Sequence, residues 1–308
     1  MTDHKPPPGP VVFDRNTRQV FNEVVLGDRL MRWAYTGPAG RLCRRLLFST
    51  GMISRLMGLY ADSRLSRGRI RPTIEALDID QSEFRDPVGS FRTLNAFFCR
   101  HLRADSRPTD PLPDVLCSPA DCRLLVIDPL RGKTCVPIKG AAFAAPDLFG
   151  QAHLKEAGEF AGGCLAIFRL CPADYHRYHF PADGRIVDRW RISGRYDSVN
   201  PFVLCLNIPV FTQNERVVTL LDLDRFGPAA FIEIGAFGVG AIEETHQGAA
   251  FTKGDEKGVF RFGGSTIVLL LQANVVRFDS DVLEQSRKGV ETRVLAGERI
   301  AVRRTPAS

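Results

Sequence analysis

Two hydrophobic rhythms divide the chain. From about residue 20 to residue 105, apolar positions recur near the 3.6-residue period of a helix. Leu42, Leu46, Ile53, Leu56 and Tyr60 share one face, with Arg41, Arg44, Arg45 and Arg55 gathered elsewhere on the wheel. Ser90 to Leu102 (SFRTLNAFFCRHL) is a second amphipathic segment. Residues 1–12 read as a disordered tip, since Met1 to Pro10 is polar and proline-rich. Three prolines mark Arg107 to Pro113 as a connector. After Val115 the texture changes: short apolar runs such as CRLLVID, CLAIFRL, VVTLLDL and STIVLLLQ alternate with Gly, Pro and Asp, which indicates strands. The expected fold class is α+β. A helical N-terminal region over 13–110 precedes a β-rich, sandwich- or barrel-like catalytic body over 111–308.

Charge sharpens this division. Between residues 29 and 71 stand ten arginines and one acid, Asp62, so the rest of the chain is slightly acidic. A basic region on a near-neutral body suggests an acidic partner, either nucleic acid or an anionic membrane surface. No nucleic-acid motif beyond charge is present, which disfavours the first. No apolar run reaches the ~18 to 20 residues of a spanning helix, so the chain is expected to lie on a membrane rather than cross it. The eight cysteines form no C-x-x-C pair and have no histidine at zinc-finger spacing. Reduced thiols, no metal and no secretory signal are the expectations.

Candidate chemistry concentrates near the C-terminus. Val259 to Phe262 and Thr266 to Leu271 read as strands broken by Gly263-Gly264, with Ser265 opening the second. Glycines leave the Gly264 carbonyl sterically open. The Ser265 hydroxyl can then attack that carbonyl. An N-to-O acyl shift gives an ester, β-elimination cuts the chain, and the resulting dehydroalanine hydrolyses to a pyruvoyl group. The plainer alternative is a Gly-Gly turn whose serine caps a strand. A hydroxyl needs a base, and Asp174-Tyr175-His176-Arg177-Tyr178-His179 offers two imidazoles. That segment could equally be a solvated loop, or two ligands of a metal site. Asp121, in the turn Ser118-Pro119-Ala120-Asp121, could orient a base or be an ordinary turn aspartate.

Taken together, these motifs resemble the phosphatidylserine decarboxylase family over roughly Phe13 to Leu271. The matching segments are SFRTLNAFFCRHLRADSRP (90–108), SPAD (118–121), IKG (138–140), IFRLCPADYHRYHFPADG (167–184), NERV (214–217), IGAFGVGAI (234–242) and KGDEKGVFRFGGST (253–266). The resemblance implies an Asp121–His179–Ser265 triad that cleaves between Gly264 and Ser265. The products would be a β chain, 1–264, and an α chain, 265–308, that stay tightly associated. It further implies a pyruvoyl cofactor made from Ser265, a Schiff base with the substrate, and a decarboxylation role for His176. Phosphatidylserine in an anionic membrane would be the substrate and phosphatidylethanolamine the product. A homodimer, peripheral on the cytoplasmic face of a bacterial-type cell membrane, is implied as well. G-G-S-T stands where many members have L-G-S-T, and Cys122 replaces the usual glycine after the aspartate. Other readings are a pyruvoyl decarboxylase of a soluble amino acid, a serine hydrolase using Asp121, His179 and Ser265, and a non-enzymatic membrane or nucleic-acid binder.

Overall fold

A computed structural model describes residues 9–24, 28–37, 52–130, 143–199, 201–204, 209–236, 242–263 and 265–305. Arg41, Leu42, Arg44, Arg45, Leu46, the IKG motif and Gly264 lie outside the described residues. In chain order the strands are β1 (Val11–Asp14), β2 (Gln19–Asn22), β3 (Val115–Cys117), β4 (Cys122–Ile127), β5 (Cys164–Leu170), β6 (Arg177–His179), β7 (Gly184–Ile192) and β8 (Arg216–Leu223). They continue with β9 (Gly227–Gly235), β10 (Ile242–Glu244), β11 (Ala250–Phe251), β12 (Glu256–Phe260), β13 (Ser265–Leu271), β14 (Val276–Phe278), β15 (Glu291–Val294) and β16 (Arg299–Arg303).

Ten of these strands form one sheet in the order β11-β7-β8-β9-β13-β5-β4-β15-β1-β2. Two three-stranded sheets, β10-β12-β6 and β14-β16-β3, complete the body. Strand side chains alternate between faces, and β13 shows the consequence. Ile267, Leu269 and Leu271 enter one core with Phe168, Phe231, Tyr178 and Phe260. Val268 and Leu270 enter a second core with Ile167, Ile232 and Phe211. Both faces of β13 are therefore covered, which is why its sequence is a continuous apolar run. The α+β class holds, with a helical basic stretch ahead of a β-rich body.

The N-terminal region departs from the sequence expectation in two places. Residues 11–22 form the β1–β2 hairpin rather than a tip grading into helix, and β1 pairs in parallel with β15. Only pairing across almost the whole chain makes these four-residue segments strands, and periodicity cannot see it. The amphipathic segment 90–102 is helical only over Leu94–Phe98. Thr93 caps its start by accepting a bond from the Ala96 N–H at 3.0 Å. Beyond Phe98 the chain is pulled into tertiary contacts, including a bridge between Phe84 and Leu102. A third core of Ile70, Ile74, Phe84, Phe91, Leu94 and Phe97 binds this region together, and Phe262 of the body packs against it.

Candidate active site

Ser265 begins β13 between β5 and β9, with Leu170 on one side and Gly235 on the other. By alternation its side chain faces the first core, and it is fully buried. Among the described residues its Oγ has no hydrogen-bond partner. A buried hydroxyl left unpaired costs free energy comparable to a lost hydrogen bond, so this is an expensive place for an idle serine. Gly263, two residues earlier, has φ 143°, in the region that favours glycine. That conformation permits the abrupt passage from the end of β12 to β13.

β12 carries the second half of the site. It runs antiparallel to β6, so Glu256 pairs with His179 and Val259 with Arg177. The Phe260 N–H then donates to the His176 carbonyl at 3.0 Å. The His176 ring is fully buried and lies 3.8 Å, centroid to centroid, from Phe98. Phe98 in turn meets Phe262 edge-on at 5.2 Å. The segment that ends in Ser265 is thus braced against His176 through two phenyl rings.

The tautomer of His176 follows from its contacts. Nδ1 lies 2.9 Å from the Asp174 carbonyl, which can only accept, so Nδ1 carries the proton. Nε2 is then a bare lone pair, buried and without a partner among the described residues. Burial, the largest cause, pushes the imidazole down to about 3. His176 is a sealed neutral base near pH 7. Asp174 is itself fixed by Arg123 at 3.1 Å and by the Cys171 N–H at 2.7 Å.

His179 has different surroundings. Tyr178 points into the first core, so its neighbour on β6 turns the other way. It lines a cavity of about 360 Å³ together with Arg107, Tyr175, Ser118 and Gly254. Its Nδ1 donates to the Gly254 carbonyl at 3.0 Å, and burial lowers its pKa from the ordinary histidine value. Its backbone N–H donates to the Pro119 carbonyl at 2.8 Å, which brings it to the turn that carries Asp121.

Asp121 is clamped. Arg107 donates to both carboxylate oxygens, at 2.8 and 2.7 Å, and the Ala296 N–H donates at 2.9 Å. The same guanidinium also bonds Glu83 at 2.8 and 2.9 Å. Cys122, in place of the family glycine, is fully buried as the first residue of β4 and leaves this clamp intact. The structure therefore sets His179 on a cavity wall, Asp121 behind that wall through Arg107 and Ala296, and His176 beside the segment that leads to Ser265. Among the described residues, no hydrogen bond joins His179 to Asp121 or to Ser265.

Sequence reasoning missed the groups that hold these residues. Arg107 and Phe98 lie inside the 90–108 motif, so their positions were visible while their partners were not. A buried ion pair between Lys257 and Glu233 was also unseen. Glu233 sits on Ser265's face of the sheet, one step along β9, because it pairs with Ile267. An acid inside the apolar run AAFIEIG was the available signal.

Fold and site together describe an α+β protein with a sealed serine at the start of β13, one imidazole, His176, packed near the connection that leads to it, and a second, His179, on the wall of a separate cavity. The family model described as phosphatidylserine decarboxylase matches residues 94–302. A phosphatidylserine decarboxylase proenzyme of Ruminiclostridium cellulolyticum is 39% identical, over 94% of this chain and 96% of the relative. Proenzymes of the same description from Clostridium beijerinckii and Clostridium perfringens are 33% and 37% identical, over 95% and 94% of this chain and 98% of each relative. The chain belongs to the phosphatidylserine decarboxylase family.

Proposed function

We propose that this protein cuts itself at Gly264–Ser265 and then decarboxylates phosphatidylserine to phosphatidylethanolamine. The observation that carries the reading is Ser265: a buried hydroxyl, unpaired among the described residues, at the head of a central strand and two residues after a glycine at positive φ. The residues present suit a pyruvoyl group there, since that position is sealed from water and has an imidazole base on its approach. Such a group supplies a sink for the electrons released when a carboxylate leaves as CO2. A hydrolase is poorly served by the same site. Ser265 opens a strand rather than the strand-to-helix elbow that exposes a hydrolytic serine.

The roles follow motif order and chemistry. Ser265 Oγ is the nucleophile of self-cleavage. Motif order assigns its proton to His179 Nε2. Because that ring turns to the cavity and Ser265 faces the first core, the transfer needs the connection between β12 and β13 to shift first. Asp121, through Arg107, holds the cavity wall on which His179 stands. His176 accepts at Nε2 the proton that the substrate's ammonium gives up on becoming a reactive amine, and delivers it to the carbon that loses CO2; it cannot begin as a donor, because its one proton faces the Asp174 carbonyl.

A membrane surface is the fitting place for this substrate. No described helix is long and apolar enough to cross a bilayer. The helix Met52–Asp62 and the turn after it expose Leu56, Leu59, Tyr60 and Leu65, the last 83% exposed. Arg55, Arg64, Arg67, Arg69 and Arg71 are exposed beside them. Each basic residue near an anionic surface contributes about 1 kcal/mol. Assay with serine phospholipid in liposomes against free amino acids separates a lipid from a soluble substrate.

Intact mass of wild type and Ser265→Ala tests the central step. Wild type should give two fragments, the smaller beginning at residue 265 without a free amino terminus, and the variant one uncut chain. A single uncut wild-type chain that still decarboxylates phosphatidylserine would overturn the reading.

A further inference from the structure

Arg100 follows the helix Leu94–Phe98 and is 3% exposed. Its Nη2 donates to the carbonyls of Ala173 and Asp174, at 3.1 and 3.3 Å. Its Nε and Nη1 are buried with no partner among the described residues. The Phe84 and Phe97 rings lie 5.1 and 5.0 Å from the guanidinium carbon. Ring faces stabilise a cation, but they do not satisfy two N–H groups.

The carboxylates around Arg100 are committed elsewhere: Asp121 and Glu83 to Arg107, Asp174 to Arg123 and the Cys171 N–H. Other buried arginines are treated differently. Arg123 and Arg169 meet Glu23, Asp174 and Glu291. Arg216, without a carboxylate, spends Nε, Nη1 and Nη2 on four carbonyls. Leaving a buried charge uncompensated is among the costliest arrangements in a fold. Arg100 therefore has the features of half an ion pair whose other half is absent.

Its location says where the missing half would sit. Arg100 Nη2 and His176 Nδ1 converge on the same Asp174 carbonyl. The segment carrying Arg100 also backs the approach to Ser265. Asn95 Oδ1 accepts from the Phe262 N–H at 3.0 Å, and Phe98 touches both His176 and Phe262.

We propose that Arg100 binds the phosphodiester of the lipid headgroup through Nε and Nη1. The inference rests on the function proposed above and names the group that holds the substrate there. A planar guanidinium fork matches two phosphate oxygens. The substrate's carboxylate is the wrong occupant. It must lose its charge as CO2, and clamping it would stabilise the ground state more than the transition state. The phosphodiester keeps its charge from substrate to product. Ser265 and Arg100 are both closed to solvent, so the headgroup reaches them only when this part of the fold opens.

The test uses the self-cleaved wild-type enzyme and soluble competitors. Glycerophosphoethanolamine, which carries the phosphodiester, should inhibit at least about tenfold more strongly than ethanolamine. In Arg100→Gln that advantage should disappear. The KM for phosphatidylserine in mixed micelles should rise about 10- to 100-fold, with the loss falling on KM rather than kcat. Arg100→Lys should lie between. Equal inhibition by the two competitors in wild type overturns the proposal, and this arm stands even if a variant does not fold. An unchanged KM in folded Arg100→Gln, or a loss on kcat with the competitor preference retained, overturns it too. Failure of wild type to self-cleave would instead sink the proposed function, and intact mass reads that before any competitor is added.

Discussion

His176 and His179 stand three residues apart in one segment, yet the fold gives them opposite environments. His176 is sealed against Phe98, its basicity strongly lowered and its Nε2 facing a closed interior. His179 looks into a cavity beside an aspartate that Arg107 holds in a bidentate grip. Both use Nδ1 to donate to a backbone carbonyl, so both offer Nε2 as a base. The difference lies in water and charge. A base in a sealed apolar site can keep a proton for one particular carbon, whereas one on a cavity wall near a carboxylate can take a proton and pass it on. Under the proposed function, one short motif would thereby supply two proton carriers that do not compete.

The largest effect should come from His179→Ala, with self-cleavage slowed roughly 10³- to 10⁴-fold and followed by the appearance of the two fragments over time. His176→Ala should leave cleavage largely intact and lower decarboxylation by about 100-fold, measured as CO2 release from the cut protein. If His176→Ala blocks the cut and His179→Ala does not, the roles are exchanged. Next comes Arg107→Gln, which leaves the buried Asp121 carboxylate without its counter-charge. It should cost about 3 kcal/mol of stability in denaturant titration of the Ser265→Ala precursor. A cost near zero would show that Arg107 does not hold that wall.

The smallest effect is one of pH. His176 stays neutral in the fold down to about 3, whereas the unfolded imidazole gains its proton near 6.5. Between those values the unfolded chain binds the extra proton. The stabilisation is therefore complete above about 6.5 and declines as pH falls toward 3, by at most about 1.4 kcal/mol per pH unit. Denaturation midpoints of the Ser265→Ala precursor at pH 7.5 and pH 5, with and without His176→Gln, should show a steeper acid loss when His176 is present. Equal slopes would mean that His176 is not sealed.

What the sequence made legible tracks how local each cause is. β13 and β5 announce themselves because both their faces are covered, so every residue from 266 to 271 is apolar or threonine. Ser265 and the Asp-Tyr-His-Arg-Tyr-His segment were readable because reactive residue types stand next to glycines and turns. The β1–β2 hairpin was not, since its strand character comes from β15, nearly 280 residues away. The clamp on Asp121 was also invisible. Arg107 reads as one more exposed arginine until folding sets it between Glu83 and Asp121. Arg100 was hidden for the same reason, its isolation being a property of neighbours drawn from four separate stretches of chain.

The placing of β13 has one more consequence. The stretch from 265 onward supplies β13 between β5 and β9, β15 between β1 and β4, and β16 beside β3. Severing the backbone at its head frees no separable piece, because each part is laced through the other. A cut there, as proposed, would alter the chemistry of one residue while the architecture stayed a single woven object.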